Sequence, residues 1–252
     1  GDTVKVIKEP TISISDYLRG DTLTSQALSD DQITLALDQA KYFQFEIDDL
    51  EEMLSHVGWQ SMATDSAAYS LKNAFDQAIL TYMSTGAAAA NTLNDDAYGN
   101  LLDLSTADAL LNTMSTLGTK LTLQDVPEEN RWIVLNPEAW EVLMKADSKL
   151  INTDYNGGAY DLSNGQAMTA KLRGFSVYVT NNAPTFETTG TVETHQVLMA
   201  GHMSAVATVS AILNTETFRS QTTFADVVRG KHVYGRSIIR PEALAIAHVK
   251  YS

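Results

Sequence analysis

The sequence contains no cysteine among its 252 residues. Disulfides, thiolate metal sites and cysteine nucleophiles are thereby excluded, and the chain suits assembly in a reducing compartment. Long apolar runs are absent as well. No stretch approaches the roughly 18–20 uninterrupted apolar residues of a membrane helix, and no basic-then-apolar leader opens the chain, so the expectation is a soluble protein without a membrane partner. Gly1 stands where an initiating methionine would, and the expectation is a processed product or fragment with sequence upstream of it. Basic charge is scarce: 17 Lys and Arg stand against 31 Asp and Glu, a formal net charge of −14. The deficit is lopsided, with 6 against 21 in residues 1–130 and 11 against 10 in residues 131–252. Such a chain lacks the clustered cations that phosphate contacts need, which disfavours direct nucleic-acid binding.

Catalytic signatures are missing too. The sequence has no glycine-rich Lys-Ser/Thr phosphate loop, dinucleotide glycine fingerprint, Gly-x-Ser-x-Gly elbow or His-Glu-x-x-His zinc helix. His195 and His202 lie seven apart, a spacing that suits one helix face, but the strand-like Val197–Ala200 intervenes. The carboxylates Asp48, Asp49, Glu51 and Glu52 read as the dipole-favoured first turns of a helix and not as a cation site. No catalytic, cofactor-binding or metal-ligating residue is therefore assigned, and the expectation is a protein that is not an enzyme.

What is present is a 44% apolar chain, enough for a sizeable core in one large domain or two joined ones. Its first 47 residues alternate with period two. Thr3–Lys8 and Thr11–Ser15 read as strand, break at Glu9-Pro10, strand. Ile33, Leu35, Leu37, Phe43, Phe45 and Ile47 then occupy odd positions while polar residues occupy even ones, as in one long strand or two collinear ones. A two-stranded ribbon of that length is marginal alone, so its apolar face is expected to rest on another chain.

From Asp48 the period turns helical. Leu50, Met53, Leu54, Val57, Ala67, Leu71, Ala74, Phe75, Ala78, Ile79 and Tyr82 form a stripe that ends at Gly86, with a break at Gly58. Beyond residue 100, strands and helices alternate. Ser105 and Asp108 have the spacing of a capping box for a helix stopped by Gly118. Arg131–Leu135 reads as a strand, Asn136-Pro137-Glu138 as the start of a helix, residues 147–168 and 180–194 as loops, and Phe175–Val179 and Val197–Ala200 as strands. Residues 203–213 are apolar but of undecided type. Met53, Met62 and Met83 are expected as core fillers and Trp59, Trp132 and Trp140 as buried anchors.

Four segments, taken in order, resemble tailed-bacteriophage major capsid proteins. They are Val126-Pro127-Glu128-Glu129-Asn130-Arg131-Trp132-Ile133-Val134-Leu135-Asn136-Pro137, Leu172-Arg173-Gly174-Phe175-Ser176-Val177-Tyr178, Ala200-Gly201-His202-Met203-Ser204-Ala205-Val206 and the run from Asp226 to Leu244. The resemblance implies an α+β protein with the Hong Kong 97-like capsid fold. In chain order it implies an E-loop β-ribbon over residues 1–47, a P-domain with a long spine helix over 48–100, an A-domain over 101–220, and C-terminal strands over 221–252 that return to the core. It further implies a virion shell subunit that forms pentamers and hexamers as a homo-oligomer, assembled in the host cytoplasm and enclosing DNA without reading its sequence. Scaffolding, portal and decoration proteins are the implied partners, and no cofactor is implied. The intersubunit contact would be the ribbon face Ile33, Leu35, Leu37, Phe43 and Phe45. An encapsulin-type nanocompartment shell would look similar at this level, and a hydrolase with an accessory hairpin is the alternative from another class.

Overall fold

The computed structural model describes residues 3–7, 12–20, 22–23, 25–27, 32–49, 58–93, 101–145, 172–187 and 194–251. The chain divides into two compact units, one of residues 1–57 with 207–239 and one of residues 58–206 with 240–252.

In the first unit, β1 (Thr3–Ile7) pairs antiparallel with β2 (Gln32–Ala36), with Val4 opposite Leu35 and Val6 opposite Ile33. A second, three-stranded sheet has the order β10-β11-β3, formed by β10 (Val206–Arg219), β11 (Ala225–Ile238) and β3 (Gln39–Asp48). The odd-numbered run read as one strand or two collinear ones is two strands, β2 and β3, separated at Leu37-Asp38 and belonging to different sheets. Alternation specifies which side each residue faces but not which partner strand the backbone finds. Phe43 lies opposite Gly230 in the antiparallel register of β3 and β11, and its ring occupies the space a side chain at Gly230 would need. The lack of a side chain at Gly230 is what admits the aromatic ring there. Residues 12–18 carry the expected alternation yet form neither strand nor helix, and Thr11 lies outside the described residues.

The second unit contains α1 (Trp59–Ser84), α2 (Ala107–Leu123) and α3 (Pro137–Leu143). Its seven-stranded sheet follows the path β4-β12-β9-β6-β7, built from β4 (Thr92–Leu93), β12 (Leu244–Lys250), β9 (Thr194–His202), β6 (Arg131–Leu135) and β7 (Ser176–Val179). Two short strands flank this path: β5 (Leu102–Asp103) pairs with β12, and β8 (Thr185–Glu187) pairs with β9. β12 is buried from Leu244 to Val249, and β6 is buried except at Trp132, which is why both read as apolar runs in the sequence.

Helix α1 starts after Gly58, so the proposed interruption is its boundary, and its 26 residues span about 39 Å at 1.5 Å per residue. Leu50, Met53, Leu54 and Val57 lie outside the described residues. The expected stripe Ala67, Leu71, Ala74, Phe75, Ala78, Ile79 and Tyr82 is half-buried throughout, and full burial is reached at Leu80 and Met83. Met62 and Trp59 are exposed, contrary to their expected roles as core filler and anchor; they sit in the first turns of a helix whose opposite end enters the core.

Helix α2 begins one residue later than the capping box implied. Thr106 is the cap, its hydroxyl accepting from the Ala109 backbone N–H at 3.3 Å, while the Ser105 N–H donates to Asp103 Oδ1. Nor does Gly118 stop this helix, which continues to Leu123. The Phe175 ring lies 3.4 Å from where its Cβ would stand. A Cβ there would make an ordinary contact, so the glycine costs the helix roughly 1 kcal/mol without stopping it. The expected loop at residues 180–194 contains β8, and the apolar run from Met203 is a short 3₁₀ turn followed by β10. The long loop expected at residues 147–168 lies outside the described residues. No helix among the described residues is long and apolar enough to cross a membrane.

Candidate assembly surface

The apolar residues singled out from the sequence do not form one continuous face. Ile33 and Leu35 lie on β2, Leu37 lies in the break, and Phe43 and Phe45 lie on β3. Leu35 is only 1% exposed, with one methyl against the Cα of Gly235. Its apolar surface is therefore already covered by its own chain, where β2 lies close to β11. Ile33, Leu37, Phe43 and Phe45 are half-buried, and the rings of Phe43 and Phe45 are stacked with centroids 6.1 Å apart.

A larger exposed apolar set lies in the connection between β1 and β2. Ile12, Ile14, Tyr17, Leu18 and Leu23 are all exposed, Ile14 at 96%. Val4 and Ile7 on β1 and Tyr42 on β3 extend the set within the same unit. The segment has an internal tie: Gln26 Oε1 accepts from both the backbone N–H and the hydroxyl of Ser13 at 3.0 Å. Gly20, at φ +103°, makes the turn between the two arms, in a backbone region that other residues occupy only with strain. Burying Ile14 and Leu18 would release about 1.5–3 kcal/mol each, so leaving them in water is a standing cost to an isolated chain. The alternation at Thr11–Ser15 signals Ile12 and Ile14 but implies a strand, and nothing in the sequence singles out Tyr17, Leu18 and Leu23.

Charge frames the three-stranded sheet of that unit. Arg219 pairs through both Nη atoms with Asp49 and also reaches Asp226 at 3.1 Å. The hydrogen bond from Arg219 holds the Asp49 carboxyl below the usual carboxylate range. Arg229 pairs with Glu216, and its guanidinium lies 4.7 Å from the centre of the Phe218 ring. Tyr42, Phe43, Gln44, Asn214, Glu216 and Lys231 are among the residues lining a groove of about 640 Å³ on this unit. These ion pairs are half exposed, so they orient the strand ends more than they stabilise them. Among the described residues, no group of three or more His, Cys, Asp or Glu is arranged to hold a metal ion.

Comparison with known proteins agrees with an assembling chain. No curated protein matches the sequence. A solved structure from Mycobacterium phage Che8 superposes with a TM-score of 0.79 at 27% identity, covering 98% of this chain and 84% of that one. The capsid structure of cyanophage P-SCSP1u gives a TM-score of 0.77 at 18% identity, covering 100% of this chain and 84% of that one. The SrpI encapsulin complex from Synechococcus elongatus matches less well, with a TM-score of 0.58 at 9% identity over 90% of this chain and 80% of that one, a likeness of fold alone. The family model described as phage capsid protein matches residues 32–247. A match of that extent, on a mixed α+β chain that leaves an apolar surface open, places the protein in the phage capsid protein family, as a structural subunit of the virion shell.

Proposed function

We propose that the chain has the Hong Kong 97-like subunit plan and closes into an icosahedral phage shell from pentamers and hexamers. In this reading the β1–β2 arm with its connection is the E-loop, α1 is the spine helix of the P-domain, and the seven-stranded sheet with α2 and α3 is the A-domain. The observation that carries the reading is the exposed row Ile12, Ile14, Tyr17, Leu18 and Leu23, which a neighbouring copy would cover. Ile33, Leu37, Phe43 and Phe45 supply the half-buried border of that contact, and Leu35 holds the arm to its own subunit. Repetition of one heterologous contact around a closed shell multiplies a modest gain per copy. A net charge of −14 suits a wall that encloses DNA without adsorbing it strongly. Assembly in the host cytoplasm, and scaffolding, portal and decoration partners, belong to the same reading.

The test is electron microscopy of the expressed chain beside the double variant Ile14→Asp, Leu18→Asp. The wild type should give uniform closed particles or capsomers. The variant should keep its circular dichroism spectrum while its assembled fraction falls at least about tenfold, since two desolvated carboxylates cost more than the two apolar contacts supply. Closed particles from the variant at wild-type yield would sink the reading. Particles filled with a protein cargo in place of DNA would favour the encapsulin alternative.

A further inference from the structure

The turn between β10 and β11 in the first unit holds a phenylalanine out in water. Phe224 is 83% exposed, against 39% for Phe218 on the neighbouring strand. Its setting is tied at several points. The Ser220 N–H donates to Ala225 O at 3.0 Å and closes the turn. Ser220 Oγ accepts from the Thr222 and Thr223 N–H groups at 3.4 and 3.3 Å and from the Thr223 hydroxyl at 2.8 Å. Phe224 O accepts from the Asp49 N–H at 3.1 Å, and Arg219 joins Asp49 to Asp226 at the base of the turn. A turn fixed in this way loses little further freedom when its ring is buried, which is the condition for an efficient aromatic anchor.

We propose that Phe224 is a docking knob, which enters the groove lined by Tyr42, Arg229 and Lys231 on a second copy of the chain. The groove belongs to the same unit as the knob, and within it Tyr42, 80% exposed, stands opposite Lys231 in the register of β3 and β11. A copy cannot seat its own ring there. The paired strand β11 carries the chain straight from the turn to Arg229, about 17 Å for five residues, and holds the two apart. Knob and groove are different surfaces that every copy offers, so the contact is heterologous and repeats from copy to copy. The row Ile12–Leu23 takes no part in it, and the proposal rests on the shell reading only for the identity of the partner.

Charge and chemistry match across this contact. Arg229 and Lys231 against Glu216 give the groove a charge of +1, while Arg219 against Asp49 and Asp226 gives the base of the turn −1. The turn itself, Ser220-Gln221-Thr222-Thr223-Phe224, carries no charge. Two copies of a chain at −14 repel in general, so a place where opposite signs face each other is favoured for their meeting. The phenyl ring finds the Tyr42 ring and the Lys231 ammonium as partners, and the hydroxyls of the turn find the amides of Gln44 and Asn214. At about 640 Å³ the groove has room for the ring and part of the turn behind it.

The lack of cysteine allows a direct test, since an introduced pair reports only its own encounter. Gln221→Cys marks the turn and Gln44→Cys the groove, both at exposed positions. Mixed with oxidised glutathione and run on a non-reducing gel, the two variants should give the mixed disulfide-linked pair well above the self-linked pair of either. Adding Phe224→Ser to the turn variant should lower that yield at least about tenfold, while Phe224→Trp keeps most of it, with circular dichroism unchanged throughout. A mixed pair no more abundant than the self-linked ones overturns the proposal, and so does one that survives Phe224→Ser at full yield. Electron microscopy of the wild type separates this result from the shell reading. Linkage without closed particles or capsomers supports the knob and counts against the shell, and closed particles without linkage do the reverse.

Discussion

Replacing Arg131 with methionine is expected to destabilise the second unit by about 3 kcal/mol, more than a single surface change normally costs. Arg131 is 5% exposed, and its guanidinium donates to four neutral oxygens: Nε to Pro127 O at 2.8 Å, Nη1 to Gly118 O at 3.3 Å and Thr122 Oγ1 at 3.1 Å, and Nη2 to Val126 O at 2.5 Å. Two acceptors belong to the last turns of α2 and two to the turn that follows, so one cation closes the carbonyl end of the helix where its dipole is negative. Hydrogen bonds from a charged donor are worth about 1.5–3 kcal/mol each, or roughly 6 kcal/mol in all at the lower value. Burying the cation takes back several kcal/mol, which leaves about 2–4 kcal/mol net. Methionine keeps the aliphatic volume and removes all four bonds. For a unit of this size the loss corresponds to about 6–12 °C in Tm, measured by thermal denaturation and by urea unfolding with an unchanged slope. Arg131→Lys should recover less than half, because an ammonium is a single point with three donors and cannot reach four acceptors as the guanidinium fork does. A loss below about 1 kcal/mol in the methionine variant, or full recovery in the lysine variant, would refute this account of the cap.

Other sites give equally direct outcomes. Gly118→Ala should be neutral to slightly stabilising, since the new Cβ meets Phe175 at an ordinary 3.4 Å and helix propensity improves, whereas Gly118→Leu should cost about 1–3 kcal/mol by urea unfolding. In Gly230→Val the branched side chain meets the Phe43 ring, so Phe43 must leave β11; the expected signs are a change in the near-ultraviolet spectrum and a lower Tm, with far-ultraviolet structure kept. Stability of the wild type should be fully present above about pH 6.5 and decline below it, because a histidine held below its usual value binds its proton later in the folded state than in the unfolded one. His195→Gln should flatten that decline in urea titrations at pH values from about 8 to 5.

Legibility in the sequence followed how local the deciding physics was. Arg131–Leu135 and the Asn136-Pro137-Glu138 helix start were readable because a buried strand and a helix entry are written in adjacent residues. The α1 stripe was readable because i, i+3 and i+4 neighbours lie on one face whatever surrounds them. Gly118 has the look of a helix stop but lies inside α2, because the burial of Leu117 and Leu121 on either side of it carries the helix on. Thr106 displaced Ser105 as the cap because Asp103 already engages the Ser105 backbone, a choice between neighbours that spacing alone does not make.

The acidic charge, the lack of cysteine and the two periodicities are properties of the chain itself, and they determined a mixed α and β protein with no signature of an enzyme. The tertiary structure alone decided that Leu35 is covered while Ile14 stands in water, that β2 and β3 join different sheets, and that His195 meets His248. Alternation tells which side of a strand a residue takes. What lies on that side depends on pairings between segments distant in sequence, whose free energy comes from packing and not from any local preference.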